Sequence, residues 1–169
     1  GKTDNHIWHW EIGDANKTEK AFQAADVVVK EKVYLPRIHV ASIETCGCVA
    51  SFDPAEGKLT VWMTTQAPHA IRTVLALVAG HVGLSEEKIR IISPDIGGGF
   101  GGKVPVYPGY VIAIASSVVI GKPVKWVEDR SENLQADSFA RDYHMDVELA
   151  ASKTGMMEAL RIKTVADHG

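Results

Sequence analysis

Cysteine is scarce in this chain: its 169 residues contain two, Cys46 and Cys48, with a single residue between them. Successive side chains of a strand point to opposite faces, so two cysteines this close are poorly placed to pair with each other. We therefore expect no disulfide framework and a reducing compartment, the cytoplasm.

Long apolar runs and an excess of charge are also lacking. The most apolar stretch, residues 111–120, is shorter than the roughly 18 residues that a transmembrane helix needs. The formal net charge is −3 with both signs interspersed, which excludes the basic surface of a nucleic-acid or anionic-membrane binder. The first residues are polar, so no secretory signal is predicted. Neither Gly1 nor Gly169 has the character of a natural terminus, and we expect a piece of a longer chain.

The hydrophobic pattern predicts an α+β fold. Alternating or β-branched segments predict strands at 7–12, 27–35, 44–52, 58–64, 88–93, 123–127, 143–151 and 160–165. A helical period predicts a short helix at 18–25 and two helices packed on strand hairpins, the first from Pro68 to the last periodic residue, Val82, and the second at 107–120. The second is apolar on nearly all sides, so we expect it to be buried. Residues 128–133 are interpreted as a solvated or ion-paired loop.

Residues 95–103 read Asp-Ile-Gly-Gly-Gly-Phe-Gly-Gly-Lys, with five glycines around Phe100. Glycine lets another group approach the backbone closely, and exposed N–H groups can cradle an anion or a polar cofactor. A tight surface turn is the alternative. A P-loop would need a hydroxyl where Val104 stands, and a dinucleotide-binding loop would open a helix that Pro105 and Pro108 delay.

Two further sets of residues are candidates. Gln66 stands where a strand gives way to a helix, and its planar amide could hold an oxo or hydroxo group rigidly, although an ordinary capping turn is the alternative. The set His39, Glu44, Cys46 and Cys48 contains metal-ligating types, but its spacing matches no standard zinc site, and we predict no metal site there.

These motifs resemble one family. Ile-Glu-Thr-Cys at 43–46, Thr-Gln-Ala-Pro-His at 65–69 and the glycine-rich stretch occur in the order found in the molybdopterin-binding large subunit of the molybdenum hydroxylases, which include xanthine dehydrogenase and aldehyde oxidase. The segments 104–110, 123–133 and 139–144 resemble the aerobic carbon monoxide dehydrogenase branch. The resemblance implies that residues 1–169 are a partial molybdopterin-binding domain of a larger subunit.

The resemblance also implies an activity. Such an enzyme would oxidise carbon monoxide or a related small substrate with oxygen from water. The purine branch typically carries Glu where Val104 stands, so a purine substrate is disfavoured. The implied cofactors are molybdopterin, as the cytosine dinucleotide, copper in the full chain, and FAD and [2Fe–2S] on two partners. These partners are a flavin-binding medium subunit and an iron–sulfur small subunit in a dimer of heterotrimers.

For the site, the resemblance implies that Gln66 hydrogen-bonds the apical oxo group of molybdenum. Gly98, Gly99, Phe100 and Gly101 would line the cofactor, and Phe100 would also wall the substrate channel. The family's catalytic Glu and its copper-binding Cys have no counterpart in this stretch, so we expect these 169 residues alone to be inactive. The alternative is a non-catalytic scaffold or assembly module, which a parent reading frame without a downstream active-site Glu would favour.

Overall fold

The computed structural model describes residues 4–80 and 83–167, and the chain divides into two compact units, Gly1–Arg37 with Arg141–Gly169 and Ile38–Ala140. In chain order the α-helices and strands of the described residues are α1 (Ala15–Ala24), β1 (Val27–Leu35), β2 (Ile38–His39), β3 (Gly47–Asp53), β4 (Lys58–Met63), α2 (Pro68–Ala79), β5 (Ile89–Ile92), α3 (Pro108–Ile120), β6 (Val124–Val127), α4 (Arg130–Ala136), β7 (Phe139–Ala140), β8 (Tyr143–Ala151) and β9 (Met157–Ala166). The predicted α+β class is confirmed.

The first unit is an antiparallel sheet in the order β1-β8-β9 with α1 beside it. Asp14 begins α1 by accepting a hydrogen bond from the Lys17 N–H. On β9, Arg161 donates to Glu19 at 2.6 Å and lies 4.5 Å from the ring centroid of Phe22, which joins the helix to the sheet. The predicted strands at 27–35 and 143–151 are confirmed.

The second unit is a four-stranded sheet in the order β5-β4-β3-β6, with β4 and β5 parallel and the other pairs antiparallel, and a short β2–β7 ladder. The predicted β3–β4 hairpin is confirmed. Alternation in β4 sends one set of side chains into the core, where they meet apolar residues of α2 and α3. The core includes Leu59, Val61, Met63, Ile71, Leu75, Tyr110 and Ile114.

Two predictions of local structure are wrong. Residues 7–12 alternate like a strand but have no regular secondary structure, and Trp8, Trp10 and Ile12 are largely exposed. A strand forms as part of a ladder with a second strand, and none of the sheets among the described residues includes residues 7–12. The solvated or ion-paired loop predicted at residues 128–133 is not found, because α4 begins at Arg130 and Glu128 is buried. A reciprocal capping box between Asp129 and Glu132 starts the helix.

The helix α3 is not buried all round. It packs on β3 and β6 through the side that carries Tyr110 and Ile114, whereas Ile112, Val119 and Ile120 on other sides are exposed. Gly121 at a φ of 61° ends α3 in the left-handed conformation. In α2 the predicted period extends to Val82, which lies outside the described residues. Across residues 4–80 and 83–167, no helix has the length and apolar character needed to cross a membrane.

Candidate functional site

Gln66 lies between β4 and α2 and is held against the glycine loop, residues 97–103. Its main-chain N–H donates to the Lys103 carbonyl at 3.0 Å. Its side-chain Oε1 accepts from the N–H groups of Gly101 at 2.9 Å and Lys103 at 3.3 Å. Because both neighbours are donors, the carbonyl end of the amide must face the loop, and Nε2 is left as a donor for another group.

Gly99 is the place in the loop where a side chain cannot be accommodated. A Cβ there would lie 2.5 Å from both Cδ and Oε1 of Gln66, far inside an ordinary contact. The Gln66 amide therefore occupies the space that a larger residue at 99 would need. Sequence composition predicted a close approach to the backbone at this position, and the approaching group in the structure is a side chain of the same chain.

Phe100 is the only non-glycine residue of the loop that has a positive φ, 49°. It is 80% exposed. The neighbouring Gly98 and Gly101 have φ values of 89° and 93°, so they supply the turn on either side of it. A bulky residue in the left-handed region costs conformational energy, and an exposed ring recovers none of it by burial. The loop therefore presents an aromatic face outward at a local cost in stability.

Three hydrogen-bond donors of this region have no acceptor in the part of the chain that the structure describes. They are the N–H groups of Gly99 and Phe100 and the Nε2 of Gln66. The other loop amides do have acceptors: Gly97 bonds Glu44, Gly98 bonds the Ile96 carbonyl and Gly102 bonds the Gly99 carbonyl. Free donors beside an exposed ring fit a ligand that is rich in oxygen and carries a flat or apolar group.

Glu44 was considered above as a metal ligand, and the structure gives it another place. Its Oε2 lies 2.8 Å from the Lys103 ammonium and accepts from the Gly97 N–H at 2.7 Å. The hydrogen bond from Lys103 is the main reason that the pKa of Glu44 lies below its usual value. The Lys103 side chain is only 3% exposed. Sequence analysis gave Lys103 no role; a charged residue inside an otherwise uncharged loop was the available signal.

A second polar cluster lies behind the loop, around the end of β6. The Asn133 amide donates to Glu128 at 3.2 Å and to Asp137 at 2.6 Å, and Glu128 also accepts from the Cys46 main-chain N–H at 3.1 Å. Burial, together with the facing Asp137, raises the pKa of Glu128. Burial also raises the pKa of the Cys46 thiol to about 12.

The four metal-ligating types considered in the sequence do not gather. Among the described residues, Cys46 shares its one close group of potential ligand atoms, within 4.8 Å, with Glu128 and Asp137. His39 instead contacts the Asn133 carbonyl at 2.9 Å. Because its thiol is protonated at neutral pH, Cys46 acts in this cluster as a weak donor, 3.6 Å from Asp137.

Comparison with known proteins identifies the family. The family model described as the molybdopterin cofactor-binding domain matches residues 1–169. The chain is 56% identical over 165 residues to the carbon monoxide dehydrogenase large chain of Hydrogenophaga pseudoflava, covering 98% of this chain and 20% of that protein. It is 37% identical over 151 residues to the nicotine 6-hydroxylase large subunit of Paenarthrobacter nicotinovorans, covering 89% and 18%.

Solved structures agree. A crystal structure of a copper- and molybdenum-containing carbon monoxide dehydrogenase, in its carbon monoxide-reduced state, superposes with a TM-score of 0.86 at 56% identity, covering 98% of this chain and 20% of the other. This chain belongs to the molybdopterin cofactor-binding domain family, as the resemblance in the sequence implied. It spans about 20% of the length of the carbon monoxide dehydrogenase large chain.

Proposed function

We propose that residues 1–169 form part of the molybdopterin-binding region of a molybdenum hydroxylase large subunit, in an enzyme that oxidises carbon monoxide or a related small substrate with oxygen from water. The glycine loop carries the proposal. It holds an exposed Phe100 at a positive φ, beside three donors that lack acceptors within the described residues. Such local strain is typical of a ligand site.

The residues present fit an oxo-bearing cofactor. Gln66 has its amide oxygen occupied by the loop, so its Nε2 would donate to an oxo group. The Gly99 and Phe100 N–H groups would donate to further oxygens, and the Phe100 ring would border the substrate channel. When bound, the molybdenum cofactor supplies the two-electron redox chemistry, while the protein orients it. The general base would come from residues outside this chain.

The finer assignments rest on the resemblance and on what the relatives are called. We infer molybdopterin in its cytosine dinucleotide form, copper elsewhere in the full subunit, and partner subunits that carry FAD and [2Fe–2S] in a cytoplasmic dimer of heterotrimers. The identity of 56% favours carbon monoxide as substrate. The 37% identity to a nicotine 6-hydroxylase large subunit over 151 residues keeps hydroxylation of an organic substrate as the second candidate.

The test uses the full-length protein with its partner subunits. Molybdenum is measured by elemental analysis, and dye reduction is measured with carbon monoxide, with small aldehydes and with nicotine. We expect bound molybdenum and turnover of carbon monoxide. Gln66→Ala should lower turnover roughly 100-fold, the scale of losing one preorganised donor at a reacting centre.

The matched control is Gln135→Ala, on the exposed surface of α4, which should leave turnover unchanged. Wild-type protein without molybdenum would refute the proposal and favour a scaffold or assembly role. Unchanged turnover of a fully loaded Gln66→Ala variant would refute the role of Gln66.

A further inference from the structure

Both ends of the glycine loop are attached to one acidic residue. At the first end, the Glu44 main-chain N–H donates to the Gly97 carbonyl at 3.1 Å, and the Gly97 N–H donates back to Glu44 Oε2 at 2.7 Å. At the last end, the Lys103 ammonium lies 2.8 Å from the same oxygen. A single carboxylate oxygen thus closes the segment from 97 to 103 into a ring.

The ion pair is asymmetric in its burial. The Lys103 side chain is 3% exposed, whereas the Glu44 side chain is 41% exposed. Within the described residues the Lys103 ammonium has Glu44 as its only ion-pair partner. An ammonium buried without a counter-ion is strongly unfavourable, because no solvent compensates its charge. Lys103 can therefore stay in this position only while Glu44 faces it.

The main chain of Lys103 then fixes Gln66. Its N–H donates to Gln66 Oε1 at 3.3 Å, and its carbonyl accepts from the Gln66 N–H at 3.0 Å and from the Thr65 hydroxyl at 3.2 Å. Close contact leaves Glu44 little freedom, since a Cβ on Gly97 would lie 2.5 Å from the Cβ of Glu44. The side chain of Lys103 belongs to the ion pair, and its backbone belongs to the Gln66 site.

We propose that Glu44 and Lys103 are positioning residues, which hold the glycine loop closed and so orient the Gln66 amide with Nε2 toward the ligand. The inference rests on the proposed function, since the ligand there is the molybdenum cofactor. Neither residue contacts that ligand in this scheme. Their effect passes through the backbone of Lys103 to Gln66.

The first test is millisecond hydrogen–deuterium exchange on the full-length protein, prepared with and without cofactor. In Glu44→Gln we expect the amides of residues 97, 98 and 101–104, which have hydrogen-bond acceptors, to exchange about tenfold faster or more, because the loop opens more often. Glu56→Gln is the control, since it removes an ion pair with Lys58 whose side chains are both more than half exposed. It should leave loop exchange unchanged.

The double variant Glu44→Gln/Lys103→Met covers the case in which Glu44→Gln does not fold. It removes both charges, so neither is buried alone, and it should be more stable than Glu44→Gln while its loop still exchanges faster than that of the wild type. Wild-type exchange in this double variant, or in a folded Glu44→Gln, would overturn the proposal.

The second test separates positioning from general stability. In loaded enzyme, normalised to its molybdenum content, Glu44→Gln should lower kcat roughly tenfold with little change in KM, and adding it to Gln66→Ala should lower kcat no further. If the kcat loss of the double variant instead equals the product of the two single-variant losses, Glu44 acts independently of Gln66 and the inference is overturned. If wild-type protein holds no molybdenum, the proposed function fails, and exchange in the cofactor-free protein still decides the loop and its ion pair.

Discussion

Replacing Gly99 with alanine should displace the Gln66 amide. The added Cβ would lie 2.5 Å from Gln66 Cδ, about 1 Å closer than the ~3.5 Å of an ordinary carbon–carbon contact. Gly99 does not have a positive φ, so the backbone itself accepts alanine. The loop is tied to its surroundings on both sides, whereas Gln66 is a flexible side chain. Gln66 is therefore the group that moves.

The magnitude follows from the bonds that Gln66 gives up. Its Oε1 would lose the hydrogen bonds from Gly101 and Lys103, each worth about 0.5–1.5 kcal/mol net. A local loss of about 1–3 kcal/mol corresponds to roughly a 5- to 150-fold loss of exchange protection at these two amides. The same loss applies to Gln66→Ala, which should therefore loosen the loop as well as lower turnover.

The assay is hydrogen–deuterium exchange over the loop, combined with turnover per bound molybdenum in the full-length enzyme. We expect Gly99→Ala to reproduce the roughly 100-fold turnover loss of Gln66→Ala. Gly80→Ala is the control, because φ is −56° there and an added Cβ meets no atom within 4 Å. Wild-type protection and turnover in Gly99→Ala would refute the reasoning.

Three further predictions concern the support of the site. Gly109→Ala should destabilise by about 1–3 kcal/mol, because the new methyl would overlap the Trp126 ring on β6; the thermal unfolding temperature should fall. In the wild type the raised pKa of Glu128 gives stability that is present below its ordinary pKa and lost as pH rises through the raised value. Glu128→Gln should therefore unfold at a higher temperature than wild type at pH 8 but not at pH 4, and its amide can donate to Asp137, whose buried Oδ1 has no hydrogen-bond partner among the described residues. Cys46, with a pKa of about 12, should resist iodoacetamide at pH 8 in the folded protein, as followed by mass spectrometry.

Each of these has a control. Gly80→Ala serves again for Gly109→Ala, and equal unfolding temperatures for the two variants would contradict the packing argument. Glu158→Gln, on exposed β9, serves for Glu128→Gln, and an equal pH response in both would contradict the burial argument. For Cys46 the reference is the urea-unfolded protein. Alkylation of the folded protein at the same rate as the unfolded protein would contradict the predicted resistance of the buried thiol.

Local pattern predicted most of the secondary structure. The strands at 27–35 and 143–151 and the hairpin of β3 and β4 followed from period-two alternation and β-branched residues. In β4 the alternation marks a buried face, whereas β1 is exposed along nearly its whole length. The same alternation predicted a strand at 7–12 that the structure lacks. Pairing depends on a second segment, and the period of one segment contains no information about a partner.

The prediction of a loop at 128–133 was wrong for a related reason. Glu128 and Asn133 are polar, and polarity alone favours solvent. Their burial is compensated by hydrogen bonds: the Asn133 amide donates to Glu128, and Glu128 accepts from the Cys46 main-chain N–H, 82 residues away in the sequence. Asp129 and Glu132 did carry a readable signal, since their spacing of three is that of a capping box.

The sequence by itself determined the α+β class, the glycine loop around Phe100 and, through motifs in a specific order, the molybdopterin-binding family. These three features depend on residue types and on the spacing of residues that are close together in the sequence. Only the tertiary structure decided that Gly99 makes room for Gln66, that Glu44 and Lys103 close the loop, and which donors remain without acceptors in the described residues. Those contacts join residues that are 33 to 59 positions apart in the sequence. The packing of the whole unit brings them together, and the hydrophobic periodicity of a single segment contains no information about such contacts.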